Sequence, residues 1–273
     1  MPERLSALDD RWLRGRTYRL IRSATNALTN LLHAHYLRLR GVSFPTPTQI
    51  QVDGATFSVR PHSFDTYIVS EIFRWRVYAP PTLPERAVIV DIGAHIGAFS
   101  IWAARRYPDC RVFACEPFPE SYTLLEENLR LNRLEGRVTA LRTSITDRKG
   151  EVLLNIDPTN TGGHSVYAPF HPGSVAIPST TLAALLEEQG IARVDLLKID
   201  AEGAEFPILL GAPPEVLARI DRITLEFHDR FYRQCTAEDL QTHLRGQGYR
   251  VRLVPSFLRG PLRPSGMLYA ERG

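Results

Sequence analysis

The segment VIVDIGAHIG, residues 88–97, sets Asp91 inside a β-branched run and follows it with Gly93 and Gly97. A carboxylate that deep in an apolar strand needs partners. A glycine at the bend can take a backbone conformation closed to other residues and lets a ligand approach the chain. Glu116 closes RVFACE, twenty-five positions beyond Asp91. Two further groups carry chemistry: Lys198 and Asp200 in LLKIDAEGAE, and Glu226 and His228 in LEFH. Each pair is two residues apart and so falls on one side of a strand. Glu202 and Glu205 follow Asp200 at a turn and a helix start, where the helix dipole favours acids.

The spacing of the glycines bears on the ligand. A dinucleotide site uses G-x-G-x-x-G so that helix amides hold a pyrophosphate. Here the turn is D-x-G-x-x-x-G, with Ala94 and His95 where a second close glycine would stand. Pyrophosphate is poorly served, while a nucleoside with a positive sulfonium suits an acid-rich turn. This favours S-adenosylmethionine over NAD. Glu116 is placed to accept both ribose hydroxyls, at about 1.5–3 kcal/mol for each charge-assisted bond. Pro117 and Pro119 fix the loop beyond it.

Asp200, Glu226 and His228 leave three readings open. His228 can act as a general base, since imidazole titrates near neutral pH. The three can hold a divalent ion that lowers the pKa of an acceptor hydroxyl. They can also form a structural network in which Glu226 pairs with Lys198, because a lysine in an apolar strand must be paired.

These residues need a scaffold. Candidate strands are Val88–Ile92, Arg111–Glu116, Val138–Ile145, Val194–Asp200, Ile223–His228, Tyr249–Pro255 and Gly266–Glu271. Helical stretches at 97–106, 120–132, 204–219 and 236–247 alternate with them. Glu151–Ile156 reads as an extra strand, and Thr180–Gln189 as a helix. Apolar strands separated by helices predict an α/β fold with a mostly parallel seven-stranded sheet, covered on both faces. Ligands of such sheets bind beyond the carboxyl ends of the strands. The main domain is expected over 49–273, with an insertion at 151–178. Ile50–Val59 reads as a hairpin turning at Asp53-Gly54, and 64–79 as a helix carrying Tyr67, Glu71 and Tyr78 toward the pocket.

Residues 1–48 form an N-terminal helical extension in this reading. Leucines at helical spacing and Arg11, Arg14, Arg16, Arg19 and Arg22 make it a basic amphipathic helix that suits either a membrane surface or simple packing. The 273 residues carry a net charge of +3, which gives no argument for nucleic acid. Thirty-one of the 33 basic residues are arginine, the lysines being Lys149 and Lys198. Cys110, Cys115 and Cys235 lack metal-type spacing and read as reduced thiols. No apolar run is long enough to span a bilayer, no signal-peptide pattern opens the chain, and a cytoplasmic location is expected.

VIVDIGAHIGAFSIWAA, FACEPFPESYTLLEENLRLN, LLKIDAEGAEFPILLG and ITLEFH together resemble the FkbM-type family of S-adenosylmethionine-dependent methyltransferases. The likeness covers roughly residues 60–255. It implies a class I, Rossmann-like methyltransferase fold and methylation of a hydroxyl oxygen on a small molecule or sugar. It implies that Asp91, Gly93 and Gly97 line the methionine end, that Glu116 holds the ribose, and that Ser144 and Ile145 flank the adenine. The loop Asn160–Ser165 would lie near the cofactor or acceptor. His95 and Ala183 depart from the family, which usually has Asn and Asp there. The competing readings are an NAD(P)-dependent oxidoreductase, which the missing glycine opposes, and a non-catalytic adenosine-binding or membrane-associating module, which the intact acids oppose.

Overall fold

A computed structural model describes residues 47–273 apart from 62, 79, 81, 158–159, 168–172, 230, 233 and 256–264. The N-terminal helical extension expected over 1–48 lies outside the described residues as far as residue 46. The chain opens with a hairpin, β1 (Thr48–Val52) and β2 (Ala55–Val59). Its turn residues Asp53 and Gly54 both have positive φ, +48° and +76°, as a two-residue primed turn requires. Helix α1 (Asp65–Ser70) runs on into a π-helical turn, Glu71–Trp75.

The alternating part follows as β3 (Val88–Ile92), α2 (Ala98–Arg106), β4 (Arg111–Cys115), α3 (Pro119–Leu131) and β5 (Val138–Leu141). Three strands then form a side sheet: β6 (Ser144–Thr146), β7 (Gly150–Ile156) and β8 (Gly173–Thr181). The chain returns through α4 (Leu182–Glu188), β9 (Leu196–Ile199), α5 (Glu205–Leu210), α6 (Pro214–Leu217) and β10 (Arg222–His228). It ends with α7 (Ala237–Gly246), β11 (Tyr249–Pro255) and β12 (Ser265–Arg272).

The central sheet has seven strands in the order β11-β12-β10-β9-β3-β4-β5. Strand β12 runs antiparallel to both its neighbours, while β10, β9, β3, β4 and β5 are parallel. This is the class I methyltransferase arrangement that the resemblance implies. Val90 and Ile92 on β3 enter one core with residues of α4, α5 and α7, and Ile89 enters the opposite core with residues of α2 and α3. Both faces are therefore covered.

Three details correct the sequence reading. The third main strand stops at Leu141, and Ser144 and Ile145 belong to the side sheet. Gly173–Thr181 is a strand, so the helix expected from Thr180 begins only at Leu182, where the Thr181 hydroxyl accepts the Ala184 N–H. The helix expected over 204–219 breaks between Leu210 and Pro214, because Pro213 has no N–H to continue it.

Asparagine side chains fix the hairpin to the domain. The Ser58 N–H donates to Asn128 Oδ1 at 2.6 Å, and Asn128 Nδ2 donates to the carbonyls of Ser58 and Ile96. Asn132 holds Thr56 in the same way. The hairpin end, Arg60, is thereby brought beside the glycine turn.

Candidate active site

The turn after β3 is held by its own backbone. The N–H groups of Gly93 and Ala94 both donate to the Cys115 carbonyl at 3.0 Å, and that of Gly97 donates to Ala94 at 2.8 Å. Gly93, His95 and Gly97 have φ of +76°, +53° and +87°. A Cβ on Gly93 would overlap the Asp200 carbonyl, and one on Gly97 would lie 2.6 Å from Leu125 Cδ1. These glycines are thus required by the close approach of β9 and α3. In the sequence reading Gly97 starts the helix tightly and Gly93 admits a ligand, and Gly93 does line the cavity.

Asp91 is buried behind the turn and does not line the cavity. It faces Lys198, its neighbour in the β3–β9 register, with Oδ1 and Nζ 3.0 Å apart, and its Oδ2 accepts the Ser100 hydroxyl at 2.7 Å. Lys198 Nζ also donates to the Gly93 carbonyl at 2.7 Å and the Ile92 carbonyl at 3.3 Å. The lysine expected to pair with Glu226 therefore pairs with Asp91 and tethers the turn. Gly97 is likewise absent from the cavity wall.

The cavity opens at the carboxyl ends of β3, β4 and β9. Gly93, His95, Glu116, Pro117, Ser144, Ile145 and Asp200 all line it, joined by Glu71 and Tyr78 from the N-terminal side. Thr161, Gly162 and His164 of the insertion loop complete the wall. Glu116 is 6% exposed. Its Oε2 accepts the His95 N–H and its Oε1 the Phe118 N–H, each at 2.8 Å. Burial pushes this carboxyl up to about 7, against the pull of those two amides. Each carboxylate oxygen has a second lone pair for a ligand donor.

Asp200 sits where β9 ends, and its Oδ2 accepts the Tyr78 hydroxyl at 2.9 Å. Glu226 Oε2 lies 3.5 Å from the same hydroxyl. Burial, then Asp200 and Glu226, hold the phenol well above its ordinary value, so Tyr78 is a donor that orients Asp200. His228 is 1% exposed and does not line the cavity. Its Nδ1 lies 3.2 Å from Glu205 Oε1, and its Nε2 lies 3.5 Å from Glu202 and 3.6 Å from Glu226. Burial disfavours the charged ring, but Glu202, Glu205 and Glu226 outweigh it and push the imidazole up to about 10. A buried imidazolium already holds its proton, which opposes the general-base reading of His228. Asp200, Glu226 and His228 bring one ligand atom each within 4.8 Å of one another, a donor set for a divalent ion once His228 gives up its proton.

A matching family spans most of this framework: the methyltransferase FkbM domain, over residues 91–251. The chain belongs to the FkbM methyltransferase family. Among the curated relatives, the methyltransferase sdnD of Sordaria araneosa is 30% identical over 66% of this chain and 82% of its own. The 31-O-demethyl-FK506 methyltransferase FkbM of Streptomyces tacrolimicus is 27% identical over 68% of this chain and 82% of its own. The hexuronic acid methyltransferase AglP of Haloferax volcanii is 26% identical over 53% of this chain and 57% of its own. The protein is thus an S-adenosylmethionine-dependent methyltransferase, and the oxidoreductase reading is set aside. Among the described residues no helix is long and apolar enough to cross a membrane.

Sequence reasoning missed one part of this site. Asp65 is fully buried and takes a two-point ion pair from Arg60, with Nε–Oδ2 and Nη2–Oδ1 both 2.9 Å. It also accepts the Thr161 hydroxyl at 3.1 Å, and Arg60 Nη2 lies 2.8 Å from His95 Nε2. This cluster joins the hairpin, the glycine turn and the insertion loop. Its members lie in three separate stretches of chain, and no local spacing marks them as a unit.

Proposed function

We propose that the protein transfers a methyl group from S-adenosylmethionine to a hydroxyl oxygen of a small molecule or sugar. The observation that carries this reading is the cavity between the glycine turn, Glu116 and Asp200. Its polar wall is rich in acceptors, which suits a cofactor bearing a sulfonium, an ammonium and two ribose hydroxyls. The bound cofactor supplies an electrophilic methyl on sulfur. Glu116 accepts the ribose hydroxyls, while Ser144 and Ile145 flank the base. Asp200, oriented by Tyr78, accepts the proton of the acceptor hydroxyl as the oxygen attacks. Positioning supplies most of the rate, since holding two reactants in line is worth about 7–11 kcal/mol at best. The relatives named for O-demethyl and hexuronic acid substrates support oxygen as the acceptor atom.

A second reading adds a divalent ion at Asp200, Glu226 and His228, where it would acidify the hydroxyl. The test is methyl transfer from labelled S-adenosylmethionine to a panel of sugar and polyketide hydroxyls, with and without EDTA. Label in a base-stable ether supports the proposal, and label on nitrogen or carbon contradicts it. Loss of transfer in EDTA, restored by magnesium, favours the ion.

Glu116 also gives the site a pH dependence. Its folded value, about 7, stands above the ordinary 4.5, so folding favours the protonated form and this group's contribution to stability falls as pH rises between those values. Ribose hydroxyls donate to the ionised form and draw the value back down. Affinity for S-adenosylhomocysteine is therefore expected to rise from pH 5.5 to 7.5, by at most about tenfold per unit. His95, pushed down to about 4 chiefly by burial, stays neutral throughout. Calorimetry across that range checks the slope, and a flat profile contradicts the role of Glu116.

A further inference from the structure

His95 occupies a left-handed position, yet its ring is 8% exposed and forms part of the cavity wall. The tautomer follows from its neighbour. Arg60 Nη2 stands 2.8 Å from Nε2, and a guanidinium can only donate. Asp65 Oδ1 lies farther from Nε2, at 3.4 Å, so the shorter Arg60 contact makes Nε2 the acceptor and puts the ring proton of this neutral imidazole on Nδ1. Among the described residues that buried Nδ1 has no partner. Arg60 Nη1, on the same ion pair, is buried without one as well. Two unsatisfied donors beside one guanidinium are costly unless an acceptor arrives.

Most of the donors beside His95 are engaged. The turn amides of Gly93 and Ala94 serve the Cys115 carbonyl, and the His95 amide serves Glu116. Lys198 Nζ serves Asp91 and two carbonyls. The Tyr78 hydroxyl serves Asp200, and the Thr161 hydroxyl serves Asp65. Glu116, Asp200 and Glu71 offer acceptors to the hydroxyls, sulfonium and ammonium of the cofactor. Its carboxylate is the one group that needs a donor and a positive field.

Resting on the cofactor reading above, we propose that His95 binds the carboxylate of the cofactor's methionine moiety through Nδ1–H, with Arg60 fixing the tautomer and supplying charge. The test compares two adenosine thioethers that share base, ribose and sulfur. S-adenosylhomocysteine carries the amino-acid carboxylate, and 5′-methylthioadenosine lacks it. His95→Gly removes the ring without straining a positive-φ position. Calorimetry is expected to show Kd for S-adenosylhomocysteine raised about tenfold in the variant, the value of one charge-assisted bond, with Kd for 5′-methylthioadenosine within about twofold of wild type. Equal losses for both ligands, or none for either, overturn the proposal. Nitrogen-15 spectra of the wild-type histidines read the same contact if the variant does not fold. The Nδ1 resonance of His95 is expected to move with S-adenosylhomocysteine and stay with 5′-methylthioadenosine, and equal movement overturns the contact. A wild-type protein that binds neither thioether overturns the cofactor reading itself.

Discussion

Lys198→Met is expected to lower the unfolding free energy by about 3–5 kcal/mol, the cost of leaving a buried ion-pair partner alone. Asp91 has no exposed surface, and Lys198 is 3% exposed. Without the ammonium, the Ser100 hydroxyl is the remaining donor to Asp91 among the described residues, and one hydroxyl does not offset a buried negative charge. The change also frees the Gly93 carbonyl, so cofactor affinity is expected to fall with stability. The pair can be isolated by a double-mutant cycle. Asp91→Asn alone strands the lysine, and Asp91→Asn with Lys198→Met is expected to cost less than the two single changes added. Urea denaturation of the four proteins measures this. A loss below about 1 kcal/mol for Lys198→Met, the range of exposed pairs, would show that the two groups are not the buried couple seen here.

Asp200→Asn is expected to lower kcat by about 10²–10⁴-fold, the usual worth of a positioned proton acceptor. The amide keeps the shape and can still accept from Tyr78, so affinity for S-adenosylhomocysteine is expected to fall by no more than about tenfold, the worth of one charge-assisted bond, well short of the loss in kcat. His228→Gln separates the two candidate bases, because it keeps a neutral hydrogen-bonding group among Glu202, Glu205 and Glu226. If Asp200 takes the proton, His228→Gln loses stability far more than turnover per folded molecule. An unchanged kcat in Asp200→Asn, with a full loss in His228→Gln, would return the base to the histidine.

The contrast between these residues shows what the sequence can carry. Alternating apolar strands and helices made the parallel sheet legible, and the Asp91 turn and Glu116 marked its working end. Asp91 and Lys198 were both recognisable as buried charges needing partners, but pairing them requires knowing that β9 lies beside β3. One of the sequence readings offered Glu226 as the lysine's partner instead. Gly93 and Gly97 were legible as necessary, while the atoms that make them so, the Asp200 carbonyl and Leu125, come from distant elements. His228 looked like a base because an isolated imidazole titrates near neutrality. The carboxylates of Glu202 and Glu205 reach it only once α5 has folded against β10. Strand β8 was missed because Pro178 interrupts it, and proline argues against a strand within a sheet. Its alternation at Val175 and Ile177 was the signal available.

The role of Glu116 in holding the cofactor is read by the affinity of S-adenosylhomocysteine for wild-type protein and for Glu116→Gln, measured by calorimetry at pH 7.5. Wild type is expected to bind at micromolar Kd and the variant about tenfold or more weakly, since an amide gives up charge-assisted acceptance from the ribose. Equal affinity in the two proteins would contradict that role.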